Sequence, residues 1–198
     1  SAAVRSKHRT VRENQQERPH SPNNQAWLER ISSEVGHYLA GFADGEGSFT
    51  ASLRKKEDHR KVWQVSLACN VAQRDVSTVR LLQQFLGCGR LQARTDGVHY
   101  FVVGDYISIK ERVIPFFDRF QFLSTTKQKN FRIFKKISAI VYYHKHYTPS
   151  GFRRVLELRE FLNEGRGRKR KYNIRDVVGV SEKSSETIRR SRSTGDKI

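Results

Sequence analysis

The chain has 198 residues, 36% of them hydrophobic, and sets 38 Lys and Arg against 20 Asp and Glu, a formal net charge of +18. That is room for one domain with tails, and the basic excess points to a polyanionic partner, nucleic acid being the commonest. No apolar run reaches the roughly 18 residues of a membrane span, the first residues carry no apolar signal segment, and Cys69 and Cys88 form no CxxC pair, which argues against a disulfide framework and a cysteine zinc site and fits a reducing intracellular compartment, bacterial cytoplasm or an organelle.

Residues 1–26 are polar and basic with two prolines, and are expected to order only against DNA. The globular part is expected over 27–165. Ser32 or Ser33 can cap a helix that runs through VGHYLAGFAD until the glycines of DGEG stop it. In SFTASLRKK, Phe49, Ala51 and Leu53 alternate with Thr50, Ser52, Arg54 and Lys56. In WQVSLACNV, Trp63, Val65, Leu67, Cys69 and Val71 alternate with Gln64, Ser66 and Asn70. Both read as half-buried antiparallel strands, joined through KEDHRK. Asp75 caps the helix VSTVRLLQQFL, which Gly87 ends. GRLQART and VHYFVVGD form a second hairpin around Asp96-Gly97, a pair that favours two-residue loops. Helices follow: IKERVIPFFDRF, interrupted by Pro115, then STTKQKNFRIFKKISAIVYYHKHY and GFRRVLELREFLNE. Residues 166–198 open with the basic run Arg166, Arg168, Lys169, Arg170 and Lys171 and end in a short helical segment.

The fold class is therefore α+β: an αββαββα core whose four-stranded antiparallel sheet is covered by helices on one face, with extra C-terminal helices. The other sheet face has nothing to cover it. It would present Ser52, Arg54, Lys56, Gln64, Ser66, Asn70, Gln92 and Arg94, with His99 at the start of the last strand, as a DNA-binding surface.

The chemistry concentrates in LAGFADGEG, residues 39–47. Asp44 and Glu46 sit at the negative end of a helix dipole, which opposes a carboxylate by roughly 0.3–1 kcal/mol, so something positive is expected beside them. A carboxylate next to a backbone carbonyl is the ligand set of a hard divalent cation that also meets phosphate. Alone, DG and EG are ordinary turn dipeptides and read as a solvated turn.

LAGFADGEG resembles the signature of the LAGLIDADG homing endonucleases at Leu39, Ala40, Gly41, Asp44 and Gly47, with Glu46 in place of the final Asp. The element order and IPFFDRFQFLSTTKQKNF are similar to that family too. The resemblance implies a site-specific, intron-encoded endonuclease that cuts both DNA strands with a divalent metal. Mg2+ is expected, with Mn2+ an alternative and Ca2+ binding without cleavage. It implies metal binding by Glu46 and the Gly45 carbonyl, catalytic roles for Glu46, Gln73 and Lys127, and a helix seam between two copies through Gly36, Ala40, Gly41, Asp44 and Gly45. The family's further basic residue aligns with Ser77, which leaves its place to Arg74 or to no residue. One signature per chain implies a homodimer and a near-palindromic target. Read without the family, Gln73 simply ends a strand and Lys127 is an exposed helix-cap lysine. His144 and His146, taken as i, i+2 on a helix, share no face and read as surface residues. An intron RNA splicing cofactor on the same fold is the alternative function, and a catalytically idle DNA-binding regulator is a third.

Overall fold

The structure, a computed structural model, describes residues 25–55 and 63–164 together with 172, 174 and 177. Lys56, the basic run 166–171, the 1–24 tail and the expected C-terminal helical segment lie outside the described residues, apart from the three isolated positions above.

A short helix α1 (Ala26–Glu29) precedes the signature helix α2 (Ser33–Glu46), whose cap Ser32 accepts the Val35 N–H. Strands β1 (Gly47–Lys55) and β2 (Trp63–Gln73), helix α3 (Val76–Leu86), and strands β3 (Arg90–Ala93) and β4 (His99–Val103) follow. Asp75 caps α3 through the Ser77 N–H, and Gly87 closes it in the left-handed region, at φ 62°. The sheet order is β1-β2-β4-β3, all antiparallel. The second hairpin differs from the two-residue expectation. Arg94 N–H bonds the Val98 carbonyl and Gly97 N–H the Arg94 carbonyl, leaving a three-residue loop with Gly97 at φ 80°. A turn followed by a left-handed glycine is how three-residue hairpins close.

Pro115 does not break its helix. A short α4 (Tyr106–Ser108) runs through a π-helical turn, Ile109–Val113, into α5 (Ile114–Arg119), and the proline follows directly on the π turn, where the hydrogen-bond register of the run changes. Ser124 caps the long α6 (Thr125–Tyr142), and α7 (Pro149–Phe161) starts from Thr148. His144 and His146 are not on a helix: α6 ends before them, His144 adopts φ 55°, and His146 lies in a 3-10 turn, Lys145–Tyr147.

The core lies between the helices and one sheet face. Phe49 of β1 meets Phe134 at 4.9 Å, Phe131 at 5.4 Å and Phe122 at 5.8 Å, while Phe117 stacks on Phe122 at 4.5 Å. This cluster fixes the start of β1 against the N-terminal half of α6. Cys69 is buried in the same layer, and burial pushes its thiol up to about 12, so it is a neutral core side chain.

Strand β1 is an edge strand, and side chains occupy its outer carbonyls. The Gly47 carbonyl accepts Lys127 Nζ, that of Phe49 accepts Asn163 Nδ2 at 2.7 Å, and that of Ala51 accepts Arg159 Nε at 3.0 Å. These are every second residue, as the pleat requires for groups on one edge. Arg159 is buried, with a further bond to the Tyr172 carbonyl at 2.9 Å.

Candidate functional site

Of the two glycines of DGEG, only the second stops α2. Gly45 stays helical, the helix ends at Glu46, and Gly47 caps it at φ −82°, ψ 153° with its N–H on the Ala43 carbonyl. Neither Gly45 nor Gly47 uses a left-handed conformation; those among the described residues fall at Gly87, Gly89, Gly97, His144 and Asn163. Gly47 is small for another reason: a Cβ there would collide with the Ala43 carbonyl oxygen. The chain thus passes from helix to strand without a loop, and the helix tip sits at the sheet's end.

The two acids of the signature part ways there. Asp44 accepts the N–H groups of Leu123 (3.0 Å) and Ser124 (2.8 Å) and the Ser124 hydroxyl. It therefore binds the N-terminal cap of α6, whose positive pole relieves the conflict with the dipole of its own helix. Partial burial pushes its pKa up, but the Ser124 and Leu123 hydrogen bonds and the Lys127 charge outweigh this and hold it below the ordinary carboxylate value. Glu46 is exposed on the last helical residue.

Lys127 lies one turn into α6 and is half-buried, its Nζ donating to the Gly47 carbonyl. Burial lowers its pKa; the charges of Asp44 and Glu46 oppose that shift. A cavity of about 270 Å³ opens here between Asp44, Ser48, Lys127, Asn130 and Asn163. Gln73 ends β2 two residues beyond Val71, the residue opposite Gly47, so register brings it to the same end of the sheet. Its Oε1 accepts the Arg74 N–H at 2.7 Å, which leaves the carboxamide nitrogen as a donor. Arg74 reaches the other way, to the Asp96 carbonyl at 3.3 Å, and Ser77 is occupied in the α3 cap. Glu46 and Lys127 therefore sit together at the α2–β1 junction, and register puts Gln73 at the same end of the sheet.

The donor set there suits a hard divalent cation. The Glu46 carboxylate stands beside the carbonyls of the last turn of α2, which helix geometry leaves without intrahelical partners, Gly45 among them. Among the described residues no three His, Cys, Asp or Glu side chains group to hold a metal within one chain. Further ligands would come from water, a phosphate or a second copy.

Two of the seam residues are corrected. Ala40 is 1% exposed in the chain's own core, and a Cβ on buried Gly36 would collide with the Phe120 ring. Gly41 and Gly45 are exposed, with open space where a Cβ would be, and Tyr38 beside them is 56% exposed. Asp44 is bonded within its own chain, as above.

The uncovered sheet face is laid out by the register. Ser52 pairs with Ser66 and Arg54 with Gln64; Ser48, Asn70, Val102 and Arg90 make one row across all four strands, and Ala72, Tyr100 and Gln92 make the next. Arg94 bonds Tyr100 at 3.0 Å and Asp96 at 3.0 Å. His99 is a correction: alternation puts it with Phe101 and Val103 on the helix side, where its Nδ1 meets the Arg74 carbonyl at 3.1 Å. Arg90 and Tyr100 join this face without having been expected there: the three-residue loop puts Tyr100 opposite Gln92, where a two-residue Asp96-Gly97 loop would have paired it with Ala93.

The family description "LAGLIDADG endonuclease" matches residues 39–138, from the signature into α6. The chain belongs to the LAGLIDADG endonuclease family. It is similar to "Probable intron-encoded endonuclease 2" of Neurospora crassa, 29% identical over 147 residues, which are 72% of this chain and 32% of that one. It is also similar to "DNA endonuclease I-CvuI" of Chlorella vulgaris, 33% identical over 84 residues, covering 40% of this chain and 52% of the other. Among solved structures, meganuclease I-SmaMI bound to uncleaveable DNA superposes with a TM-score of 0.62 at 30% identity, over 67% of this chain and 45% of that one. The archaeal I-Vdi141I shares the fold with a TM-score of 0.69 at 22% identity, over 75% and 94% of the two chains. The chain therefore spans between a third and about half of the first three relatives. Among the described residues no helix is long and apolar enough to cross a membrane.

Proposed function

We propose that the chain is an intron-encoded homing endonuclease that works as a homodimer, cutting both strands of a long, near-palindromic DNA target with a divalent cation. The observation that carries this reading is exposed Glu46 beside the Gly47-bound Lys127 where α2 enters β1, with Gln73 at the same end of an uncovered polar and basic sheet face.

Glu46 and the Gly45 carbonyl would hold the cation, Mg2+ by preference, with Mn2+ a substitute and Ca2+ supporting binding alone. When bound, such a cation lowers the pKa of water and neutralises phosphate charge. Gln73 orients a water through its carboxamide nitrogen, and the Lys127 ammonium stabilises negative charge developing at the phosphate. Gly41 and Gly45 let a second α2 approach closely, which brings two Glu46 carboxylates to the two strands. The arginines of the outer face suit guanine acceptors, Gln64, Asn70 and Gln92 suit adenine, and Ser52 and Ser66 are adaptable. The basic residues 166–171 supply phosphate contacts that position the DNA without reading it. What supports the two-copy arrangement is the single signature in these 198 residues and a match that takes up 67% of this chain but only 45% of I-SmaMI.

Glu46→Gln keeps the shape and removes the charge. With a target selected from a randomised duplex library in Mg2+, this variant should bind like the wild type in Ca2+ and lose at least a hundredfold in single-turnover cleavage rate. Cleavage at the wild-type rate would remove Glu46 from the mechanism.

A further inference from the structure

The far end of α6 carries a ring cluster that the cleavage site does not use. At about 1.5 Å per residue, the 18 residues of α6 put it roughly 27 Å from the helix end that holds Lys127. Tyr143 meets Tyr142 at 5.2 Å, Tyr142 meets Tyr106 at 6.3 Å, and Tyr106 meets His144 at 5.6 Å. The His144 ring lies parallel to Tyr147, with centroids 5.8 Å apart and planes at 8°. The left-handed backbone of His144, at φ 55°, turns the chain so that these rings meet. This is no buried core: Tyr143 is 60% exposed, Tyr147 56% and Tyr106 36%.

Cations flank the rings. Lys145 is exposed within the 3-10 turn, and exposed Arg153 lies in the first half of α7, which packs against that turn; its neighbour Arg154 is paired with Glu157 at 2.9 Å. The Glu111 carboxylate accepts the Tyr142 hydroxyl at 3.3 Å.

We propose that this cluster is a stacking platform for unpaired bases of single-stranded RNA. Duplex DNA keeps its bases stacked on one another and shows only their edges, which suits the sheet face. Loops and bulges of a folded RNA splay bases out, and those are bound by stacking on Tyr and His rings with Lys and Arg on the phosphates. Exposed rings with polar edges and a cationic rim fit that ligand better than the aliphatic face of a protein partner. The proposal is independent of DNA cleavage and stands or falls without it.

The test uses the full chain and a fluorescent RNA hairpin with an adenine-rich loop, the same sequence as perfect duplex RNA, and its single-stranded DNA counterpart, followed by anisotropy. Tyr143→Ala and Tyr147→Ala should each weaken hairpin binding about tenfold. Tyr143→Phe and Tyr147→Phe should restore it, with duplex RNA binding and DNA cleavage unchanged. Photocrosslinking from 5-bromouridine in the loop should label Tyr143 or Tyr147, a readout that needs no variant to fold. Wild-type hairpin binding by both Ala variants, an equal loss for hairpin and duplex RNA, equal affinity for the DNA strand, or crosslinks confined to other residues would each overturn the proposal.

Discussion

Lys127 shows how one side chain joins structure to chemistry. Its ammonium is half-buried against the Gly47 carbonyl, and burial places its pKa below the ordinary lysine value despite the neighbouring Asp44 and Glu46 charges. A lysine is charged below its pKa and loses its charge as pH rises through it. Lowering that pKa brings the loss to lower pH. Single-turnover cleavage should therefore fall on the alkaline side at a pH below that of a surface lysine. Lys127→Arg keeps the charge through this range, so the alkaline limb should move up in pH, while the longer side chain lowers the plateau rate roughly 10- to 100-fold. An unmoved limb in the pH–rate profile would assign the ionisation elsewhere. The sequence made Asp44 and Glu46 look like a pair in conflict, but their division of labour needed Ser124, 80 residues away, which receives Asp44 and leaves Glu46 exposed. No local pattern could supply that contact.

At the scale of elements, periodicity was the readable part. Phe49 and Leu53 in β1, and Val65, Leu67, Cys69 and Val71 in β2, are buried as alternation implies, because a strand with one wet face writes its burial into every second residue. The caps Ser32, Asp75 and Ser124 were equally legible. Helix α2 was harder, because Gly36, Ala40, Gly41 and Gly45 are all small and spacing cannot say which pair faces inward. Gly36 and Ala40 face the chain's own core, and Gly41 and Gly45 face out. Gly41→Ala should accordingly raise the melting temperature of the isolated chain, since alanine stabilises a helix interior by about 0.5–1 kcal/mol over glycine. It should also weaken the dimer in sedimentation velocity. Gly36→Ala should lower the melting temperature through collision with Phe120. If Gly41→Ala leaves the dimer intact, the seam lies on another face. Gly45 misled for a related reason: a glycine near a helix end suggests a stop, but the stop is set two residues later, where Gly47 must clear the Ala43 carbonyl.

Across the whole molecule, the formal charge of +18 surrounds one small acidic locus. Binding that releases counterions from about six to ten phosphates gives a log–log salt slope on the order of −5 to −9. Replacing Arg166, Arg168, Lys169, Arg170 and Lys171 by Ser should flatten that slope by about 0.9 for each phosphate that is no longer neutralised, with no change in preferred target sequence; a changed target would mean that the run reads bases. The sheet's borders carry a further consequence. At one border β3 has only the four residues Arg90–Ala93. At the other, the acceptors of Gly47, Phe49 and Ala51 are already taken by Lys127, Asn163 and Arg159. Such an edge offers no template to an incoming strand. In the proposed two-copy arrangement, this disfavours fusion of the two sheets into one continuous surface and leaves the exposed stripe of α2 as the proposed seam. With that seam, the gap between the two reading surfaces would be set by the thickness of two helices, and the unread centre of a target would have a fixed length that the folded chain imposes on the DNA.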